Sequence, residues 1–233
     1  MVFIYIIFFI AAYFLGALPV IELTCKLRGL DISGEQDLHA YFFNHVGKWW
    51  GVAAGLADVL KGVIPVLVGL LLNFPLAAIV PAALAAIVGQ MWPVFNHFDG
   101  ERGNTVAAGV IVTFTLAWGA PQVLLIAACI VLVGLLVRIG RRWGERSGNL
   151  HERIELGGRP SNVFPLAVIV AFASCIPTSL VFHMDRGITW GFSGVLILLL
   201  VRRLTGGLLA DLEKTDHAFR IIVNRLLFDR SEA

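Results

Sequence analysis

Residues 50–92 decide the fold class, and they read WGVAAGLADVLKGVIPVLVGLLLNFPLAAIVPAALAAIVGQMW. Two apolar segments, 50–72 and 74–92, are separated by a short junction that includes Asn73 and Pro75. A helix needs about 20 residues to cross ~30 Å of hydrocarbon, so each segment can span a bilayer. Asparagine and proline at a junction are typical of a tight turn between helices. The stretch therefore predicts two transmembrane helices joined by a short loop.

The composition of the whole chain extends this prediction. Of the 233 residues, 58% are apolar and 15% are charged, and the mean hydropathy is +0.83. A soluble domain carries about 25% charged residues and about 45–50% apolar ones. Because the apolar excess is concentrated in blocks, lipid is the expected surrounding. We predict an all-α integral membrane protein whose partners are membrane lipids and not nucleic acids.

Seven apolar segments occur along the chain, and each is expected to form a transmembrane helix. They lie at 3–22, 50–72, 74–92, 104–118, 120–137, 163–182 and 188–204. The first begins without basic residues and is longer than a signal-peptide core, so we expect it to be retained as a helix. The segment 104–118 is short, which leaves counts of six and eight open. The expected organisation is a seven-helix membrane domain over 1–210 and an amphipathic cytoplasmic tail over 211–233.

The placement of charge predicts the orientation. With seven spans, one side of the membrane receives the loops 23–49, 93–103 and 138–162 and the tail after residue 204. Counting Arg202 and Arg203 at the end of the last span, that side carries sixteen of the 18 Lys and Arg residues; the other side carries only Arg186, and Lys61 lies within a span. Basic loops stay in the cytoplasm. We therefore expect an outward N-terminus, a cytoplasmic C-terminus and a location in the cell (inner) membrane.

The tail contains a predicted amphipathic helix over 211–228. Its apolar residues fall near one face at helical spacing, and they are Leu212, Phe219, Ile222, Val223 and Leu226. We favour a helix that lies on anionic lipid at the membrane interface. A helix that binds a protein partner stays open as the alternative.

Two ionisable residues, Asp58 and Lys61, stand within the second apolar segment. They are three residues apart, so they share a helix face and can form an ion pair. Such residues cost about 2.5–3.5 kcal/mol each on insertion scales and therefore face a bundle interior or a wet cavity. Two interpretations stay open: a salt bridge that holds helices together, and a polar site that opens to the cytoplasm. Glu22, at the end of the first segment, is expected to be solvated and to have no special role.

Metal, disulfide and common catalytic sites are not indicated. The three cysteines are far apart, and the six histidines are scattered without ligand spacing, so we predict no metal and no cofactor. The sequence contains no G-x-S-x-G, P-loop or G-x-G-x-x-G pattern, which argues against the soluble enzyme classes that use them.

The loop between the third and fourth segments carries the most specific pattern, GQMWPVFNHFDGERGNTV over residues 89–106. Gly100 and Gly103 allow close backbone approach and positive φ, and Arg102 between them supplies a fork of donors suited to phosphate. A helix that starts at Asn104 presents free N–H groups, which also favour an anion. The pattern indicates a phosphate-binding loop, although an ordinary turn between helices would use similar residues.

This loop resembles the signature of the bacterial acyl-phosphate:glycerol-3-phosphate acyltransferases of the PlsY type. GALP from Gly16 onward, and DVLKG from Asp58 onward with Pro65, also correspond to that family in type and order. The resemblance implies seven spans, an outward N-terminus and catalytic loops at the cytoplasmic face. It also implies transfer of a fatty acyl group from acyl phosphate to the sn-1 hydroxyl of glycerol 3-phosphate, without a metal, in phospholipid biosynthesis.

The resemblance further implies a set of site residues. Arg102 and the backbone N–H groups of Gly100 and Gly103 are expected to hold a substrate phosphate. The supporting members of the set are Ser33 and Arg202 as further phosphate contacts, and Lys61 and Ser161 as catalytic residues.

The chain departs from the family pattern at several positions. The first loop reads ISGEQDLHAY from residue 32, where the family has S-G-S-G-N-x-G-A-T-N, and its Glu35 and Asp37 would repel a phosphate. In the signature loop, Gln90 replaces a histidine, Glu101 replaces a glycine and Arg102 replaces a lysine. Glu101 therefore places a negative charge beside Arg102.

The final family motif, R-H-x-x-N-I-x-R-L, retains only its first arginine here, as Arg202. Two hypotheses follow from these departures. One is an active acyltransferase, and the other is an altered or inactive paralogue that acts as a lipid-binding or regulatory membrane protein. A small transporter is a third, but no inverted repeat is visible to support it.

The orientation can be tested by labelling cysteines placed in the loop 138–162 with a membrane-impermeant maleimide. Because this loop is predicted to be cytoplasmic, we expect labelling in inverted vesicles and none in intact cells. Labelling from outside the cell would contradict the predicted orientation.

Overall fold

The computed structural model describes residues 2–27, 29, 30, 47–144, 163–212 and 218–228. Within these residues the regular structure is helical. Its elements are α1 (Val2–Ala17), α2 (Val20–Leu27), α3 (Lys48–Leu71), α4 (Leu76–Met91), a 3₁₀ turn (Val94–Asn96), α5 (Asn104–Ala117), α6 (Pro121–Gly144), α7 (Val163–Val181), α8 (Arg186–Thr205), α9 (Leu208–Leu212) and α10 (Ala218–Phe228). The prediction of an all-α protein is confirmed.

Several of these helices are long and apolar enough to cross a membrane. Among the described residues, these are α3, α4, α6, α7 and α8. Two others are apolar but shorter, with 16 residues in α1 and 14 residues in α5. The total of seven spans and the orientation of the termini stay predictions.

The first apolar segment is broken near its end, so the prediction of one continuous helix over 3–22 is wrong. Helix α1 ends at Ala17 and α2 begins at Val20. Pro19 has no N–H to donate, and it disfavours the helical conformation of the residue before it. The two residues between the helices form a tight turn, in which the Val20 N–H donates to the Leu18 carbonyl at 3.0 Å.

The chain divides into two compact units, Met1–Trp118 and Gly119–Ala233. In the first unit, α1 packs along α4 and α3 packs along α5. Glycines on both members of each pair allow their backbones to touch. A Cβ at Gly16 would overlap the Ala86 carbonyl, and one at Gly89 would overlap the Tyr13 carbonyl. Small residues allow this close approach of membrane helices.

The second pair, α3 and α5, crosses in the same reciprocal way. A Cβ at Gly62 would overlap the Val106 carbonyl, and one at Gly109 would overlap the Val59 carbonyl. This crossing lies one residue from Lys61, so it helps to set the position of that side chain.

In the second unit, α7 packs against α6, α8 and α10. Arg203, which is buried, connects three of these helices. Its Nη1 donates to the carbonyls of Leu226 at 2.8 Å and Leu227 at 3.2 Å. Its Nη2 donates to the Pro165 carbonyl at 2.8 Å. The Leu226 and Leu227 carbonyls lie in the last turn of α10, where a helix leaves carbonyl groups without partners, and the basic side chain satisfies them.

The helix of the tail buries a different face from the apolar one predicted. Ile221, Asn224 and Arg225 are buried, and Phe219 is 81% exposed. Arg225 forms an ion pair with Asp211 and donates to the Gly206 carbonyl. The exposed Phe219 is compatible with a lipid surface, and the interfacial role of the tail and the domain boundary at 210 stay predictions.

Replacing Gly62 with Ala tests the crossing of α3 and α5. The added methyl group would overlap backbone atoms of α5, so we expect a loss of stability of about 1–3 kcal/mol. Gly55→Ala on the same helix is the matched control, because a Cβ there has open space. It should be neutral or stabilising, since alanine is the better helix former by about 1 kcal/mol. Unfolding in detergent followed by tryptophan fluorescence measures both, and equal effects would contradict the close crossing.

Candidate functional site

A small pocket lies beside the break between α1 and α2. One wall is the turn from Gly16 to Val20 together with Glu22, and a second is Lys61 of α3. The third wall comes from the end of α4 and the signature loop, with Gln90, Pro93, Gly100 and Glu101. All of these elements belong to the first unit.

Lys61 is fixed by two oxygen atoms at the base of this pocket. Its Nζ is 2.6 Å from Asp58 Oδ1 and donates to the Leu18 carbonyl at 2.7 Å. Asp58 is 1% exposed and Lys61 is 5% exposed. The predicted ion pair is confirmed. Lys61 thus joins α3 to the turn after α1 and also lines the pocket. The opening of this pocket to the cytoplasm stays a prediction.

The two glycines of the signature loop have different functions. A Cβ at Gly100 would overlap the Gln90 carbonyl and the Pro93 ring, so this residue allows close approach. Gly103 has a φ of 75° and caps the N-terminus of α5, so it supplies the left-handed conformation that other residues rarely adopt. The sequence predicted both properties without assigning them to one glycine or the other.

Gln90 connects the end of α4 to the signature loop. Its carbonyl accepts a hydrogen bond from the Glu101 N–H at 3.1 Å, and its Nε2 donates to Glu101 Oε2 at 3.1 Å. Nε2 also lies 3.2 Å from the Thr105 hydroxyl. The side chain is 5% exposed, so its polar atoms need these partners.

Glu22 also contacts the loop, so the expectation that it has no special role is wrong. Its Oε1 accepts a hydrogen bond from Asn96 Nδ2 at 3.2 Å. Asn96 Nδ2 donates as well to the Asp99 carbonyl at 2.6 Å. The break at Pro19 starts a new helix that brings Glu22 to the pocket wall.

The structure brings together only part of the predicted site. Lys61 and Gly100 line one pocket, and Gly103 and Arg102 lie on the same loop, with the Arg102 side chain exposed. Arg202 lies on α8 in the second unit. Ser33 and Ser161 lie outside the described residues. Within the described residues, no cluster of His, Cys, Asp and Glu could hold a metal ion.

Sequence reasoning did not assign Glu22 and Gln90 to the pocket. Gln90 could have been assigned to the pocket because it occupies the position of the family histidine. Glu22 could have been assigned because Pro19, three residues earlier, ends the preceding helix.

The family model of glycerol-3-phosphate acyltransferase matches residues 6–144, more than half of the chain. The chain belongs to the glycerol-3-phosphate acyltransferase family. The match contains every element that lines the pocket, from α1 to the signature loop.

Two relatives show how far the similarity extends. A glycerol-3-phosphate acyltransferase of Glaesserella parasuis is 36% identical over 107 residues, which are 44% of this chain and 53% of the relative. The chain thus spans about half the length of that relative. Glycerol-3-phosphate acyltransferase 5 of Dehalococcoides mccartyi is 29% identical over 97% of this chain and 89% of its own length.

Crystal structures of PlsY (YgiH), an integral membrane glycerol 3-phosphate acyltransferase, have the same fold. The lysophosphatidic acid form has a TM-score of 0.63 at 26% identity, and it covers 88% of this chain and 92% of PlsY. The glycerol 3-phosphate form has a TM-score of 0.64 at 25% identity, with the same coverage. The prediction of an all-α integral membrane protein is confirmed by this similarity.

Removing the ammonium group of Lys61 tests how strongly the ion pair supports the pocket. Lys61→Met leaves Asp58 as a buried charge without its cation, so we expect a loss of about 3–5 kcal/mol in the free energy of unfolding. Unfolding in detergent measures this loss.

The double variant Asp58→Asn/Lys61→Met removes both charges and should recover much of the lost stability. Lys26→Met, an exposed lysine on α2, is the control. A double variant no more stable than Lys61→Met would contradict the pairing.

Proposed function

We propose that this protein transfers a fatty acyl group from acyl phosphate to glycerol 3-phosphate and so forms lysophosphatidic acid for phospholipid biosynthesis. The observation that carries the proposal is the family match over residues 6–144, which includes the whole wall of the pocket. PlsY, which shares the fold, has been crystallised in a glycerol 3-phosphate form and a lysophosphatidic acid form.

In the proposed reaction, the sn-1 oxygen of glycerol 3-phosphate attacks the carbonyl carbon of acyl phosphate. A new ester C–O bond forms, the bond from the acyl carbon to the phosphate oxygen breaks, and phosphate leaves with the bonding electrons. The released phosphate takes up the proton of the attacking hydroxyl group. Negative charge develops on the acyl and phosphate oxygens, so cationic and N–H donors stabilise the transition state.

The chain is proposed to supply such donors on the signature loop and on α3. Arg102 and the backbone of Gly100 and Gly103, at the N-terminus of α5, keep their proposed role in holding the substrate phosphate. Lys61 lines the pocket, where an ammonium group has three N–H donors. Asp58 and Leu18 are its partners within the described part of the chain, which leaves one donor to face a substrate. Ser161 keeps its proposed role as a catalytic residue. Ser33 and Arg202 keep theirs as further phosphate contacts.

The site is proposed to face the cytoplasm, in a multi-pass protein of the inner membrane. The concentration of Lys and Arg in the loops on one side supports this orientation. Acyl phosphate is an amphiphile, and glycerol 3-phosphate is a soluble anion. A site at the interface between membrane and cytoplasm can receive both.

The alternative, an inactive paralogue with a lipid-binding or regulatory role, is not favoured by the comparisons. The relatives are named as acyltransferases. Lys61, within the DVLKG stretch that corresponds to the family, is also buried and lines the pocket.

Turnover by the purified protein tests the proposal. With acyl phosphate and glycerol 3-phosphate, we expect release of phosphate and formation of lysophosphatidic acid by the wild type. Arg102→Ala removes a charged hydrogen-bond donor worth about 1.5–3 kcal/mol, so kcat/KM should fall by about 10- to 100-fold. Arg186→Ala, an exposed arginine at the start of α8, is the matched control and should retain the activity. Absence of turnover by the wild type would reject the proposed substrate pair, and equal turnover by the wild type and Arg102→Ala would reject the role of Arg102.

A further inference from the structure

The side chain of Asn96 connects the middle of the signature loop to α2. Its Nδ2 donates to Glu22 Oε1 at 3.2 Å and to the Asp99 carbonyl at 2.6 Å. Glu22 and Asn96 are 74 residues apart in the chain. We propose that Asn96 is a positioning residue, which fixes the signature loop in its substrate-binding position by tying it to Glu22. This inference rests on the proposed function of the loop.

The backbone after Asn96 adopts a conformation that needs support from its surroundings. His97 and Phe98 have φ values of 49° and 63°, in the left-handed region that residues other than glycine rarely adopt. Residues in that region persist where surrounding contacts hold them. The Asn96 side chain supplies such a contact, because it donates to the carbonyl of Asp99, beyond both residues. One amide group therefore holds the shape of this turn and also ties the turn to α2.

The 3₁₀ turn that contains Asn96 buries little of its apolar surface. Val94 is 43% exposed and Phe95 is 57% exposed. Segments with little apolar burial are those that open locally at the lowest cost in free energy. A hydrogen bond from the turn to a neighbouring helix therefore has a large effect on where the turn lies. The Asn96–Glu22 contact is such a bond, and the amide donates in it to a carboxylate, which is one of the stronger kinds of hydrogen bond.

Helices α1 and α2 contact the signature loop at successive points. The Tyr13 hydroxyl donates to the Trp92 carbonyl at 2.8 Å, where the loop begins. The ring centroids of Phe14 and Phe95 are 5.9 Å apart. Glu22, beyond the break between the two helices, makes the third contact. The first apolar segment thus supports the loop from its start to its 3₁₀ turn, and the break brings the last of these contacts within reach.

The consequence for substrate binding is a change in the population of loop positions. Gly100 and Glu101 of this loop form part of the pocket wall, so the pocket is complete only when the loop is in place. A loop that spends part of its time elsewhere has an apparent KM equal to the intrinsic value divided by the competent fraction. Bound substrate selects the competent position, so the chemical step is little changed. Loss of the contact should therefore raise KM more than it lowers kcat.

Glu22→Ala removes the acceptor of this contact. We expect the KM for glycerol 3-phosphate to rise about tenfold, with kcat within about threefold of the wild type. Glu22→Gln removes the charge but keeps an amide oxygen that can accept from Asn96, so its KM should stay within about threefold of the wild type. An unchanged KM in Glu22→Ala, or a KM in Glu22→Gln as high as that of Glu22→Ala, would overturn the inference.

A double-mutant cycle tests whether the two residues act through one contact. Asn96→Ala should raise the KM at least as much as Glu22→Ala, and adding Glu22→Ala to it should have no further effect. Gln122→Ala, which removes an exposed amide group on α6, is the matched control and should leave the KM unchanged. A further rise in the double variant would show that Glu22 affects the substrate without Asn96, which contradicts the positioning role.

The mobility of the loop, measured without turnover, separates this inference from the proposed function. A nitroxide label at Val94→Cys reports nanosecond motion of the 3₁₀ turn, in a chain whose exposed Cys129 is replaced with Ala. The label should be more mobile in Glu22→Ala than in the otherwise wild-type chain, and glycerol 3-phosphate should restrict it again. Equal mobility in the two proteins would overturn the inference.

The remaining outcomes also decide between the two claims. A wild type without turnover rejects the proposed reaction, and restriction of the mobile Glu22→Ala label by glycerol 3-phosphate still supports the positioning role. A mobile label that glycerol 3-phosphate does not restrict shows a purely structural contact, which overturns that role whether or not the wild type turns over.

Discussion

The buried ammonium group of Lys61 lies between the Asp58 carboxylate and the Leu18 carbonyl, and the pocket is built around this interaction. A charge in a membrane span costs several kcal/mol unless it has partners. Asp58 supplies the opposite charge one turn away on the same helix. The break at Pro19 supplies the carbonyl, because the chain there no longer continues as a helix. The ammonium group therefore joins α3 to the turn after α1, and these two elements form two walls of the pocket.

The position of that ammonium depends on how closely the helices pack. Glycines at the crossing of α3 and α5, and at the crossing of α1 and α4, bring backbones into contact. Gly62 follows Lys61 directly, and Gly16 precedes the Leu18–Pro19 turn by two residues. Side chains at these glycines would push the helices apart, and an ion pair tolerates little change in distance because its energy falls with separation. The glycine crossings thus set the distance over which the Lys61 ammonium contacts its partners.

The third wall shows why departures from a family pattern have to be considered in pairs. Glu101 alone looks unfavourable for a site that binds phosphate, and Gln90 alone looks like the loss of a histidine. In the structure the amide of one donates to the carboxylate of the other, and the negative charge is held by a hydrogen bond at the end of α4. Neither departure can therefore be judged from its own position alone.

Features that depend on local spacing follow from the sequence alone. Hydropathy predicted the apolar helices, the spacing of three residues predicted the pair of Asp58 and Lys61, and the glycines around Arg102 predicted a loop with close approach and positive φ. Contacts between groups distant in the chain become visible only in the folded protein. Lys61 meets a carbonyl 43 residues away, Glu22 meets Asn96, 74 residues away, and Gln90 meets Glu101. The physical reason is that periodicity sets contacts within one or two turns of a helix, whereas contacts between helices depend on the break at Pro19 and the glycine crossings.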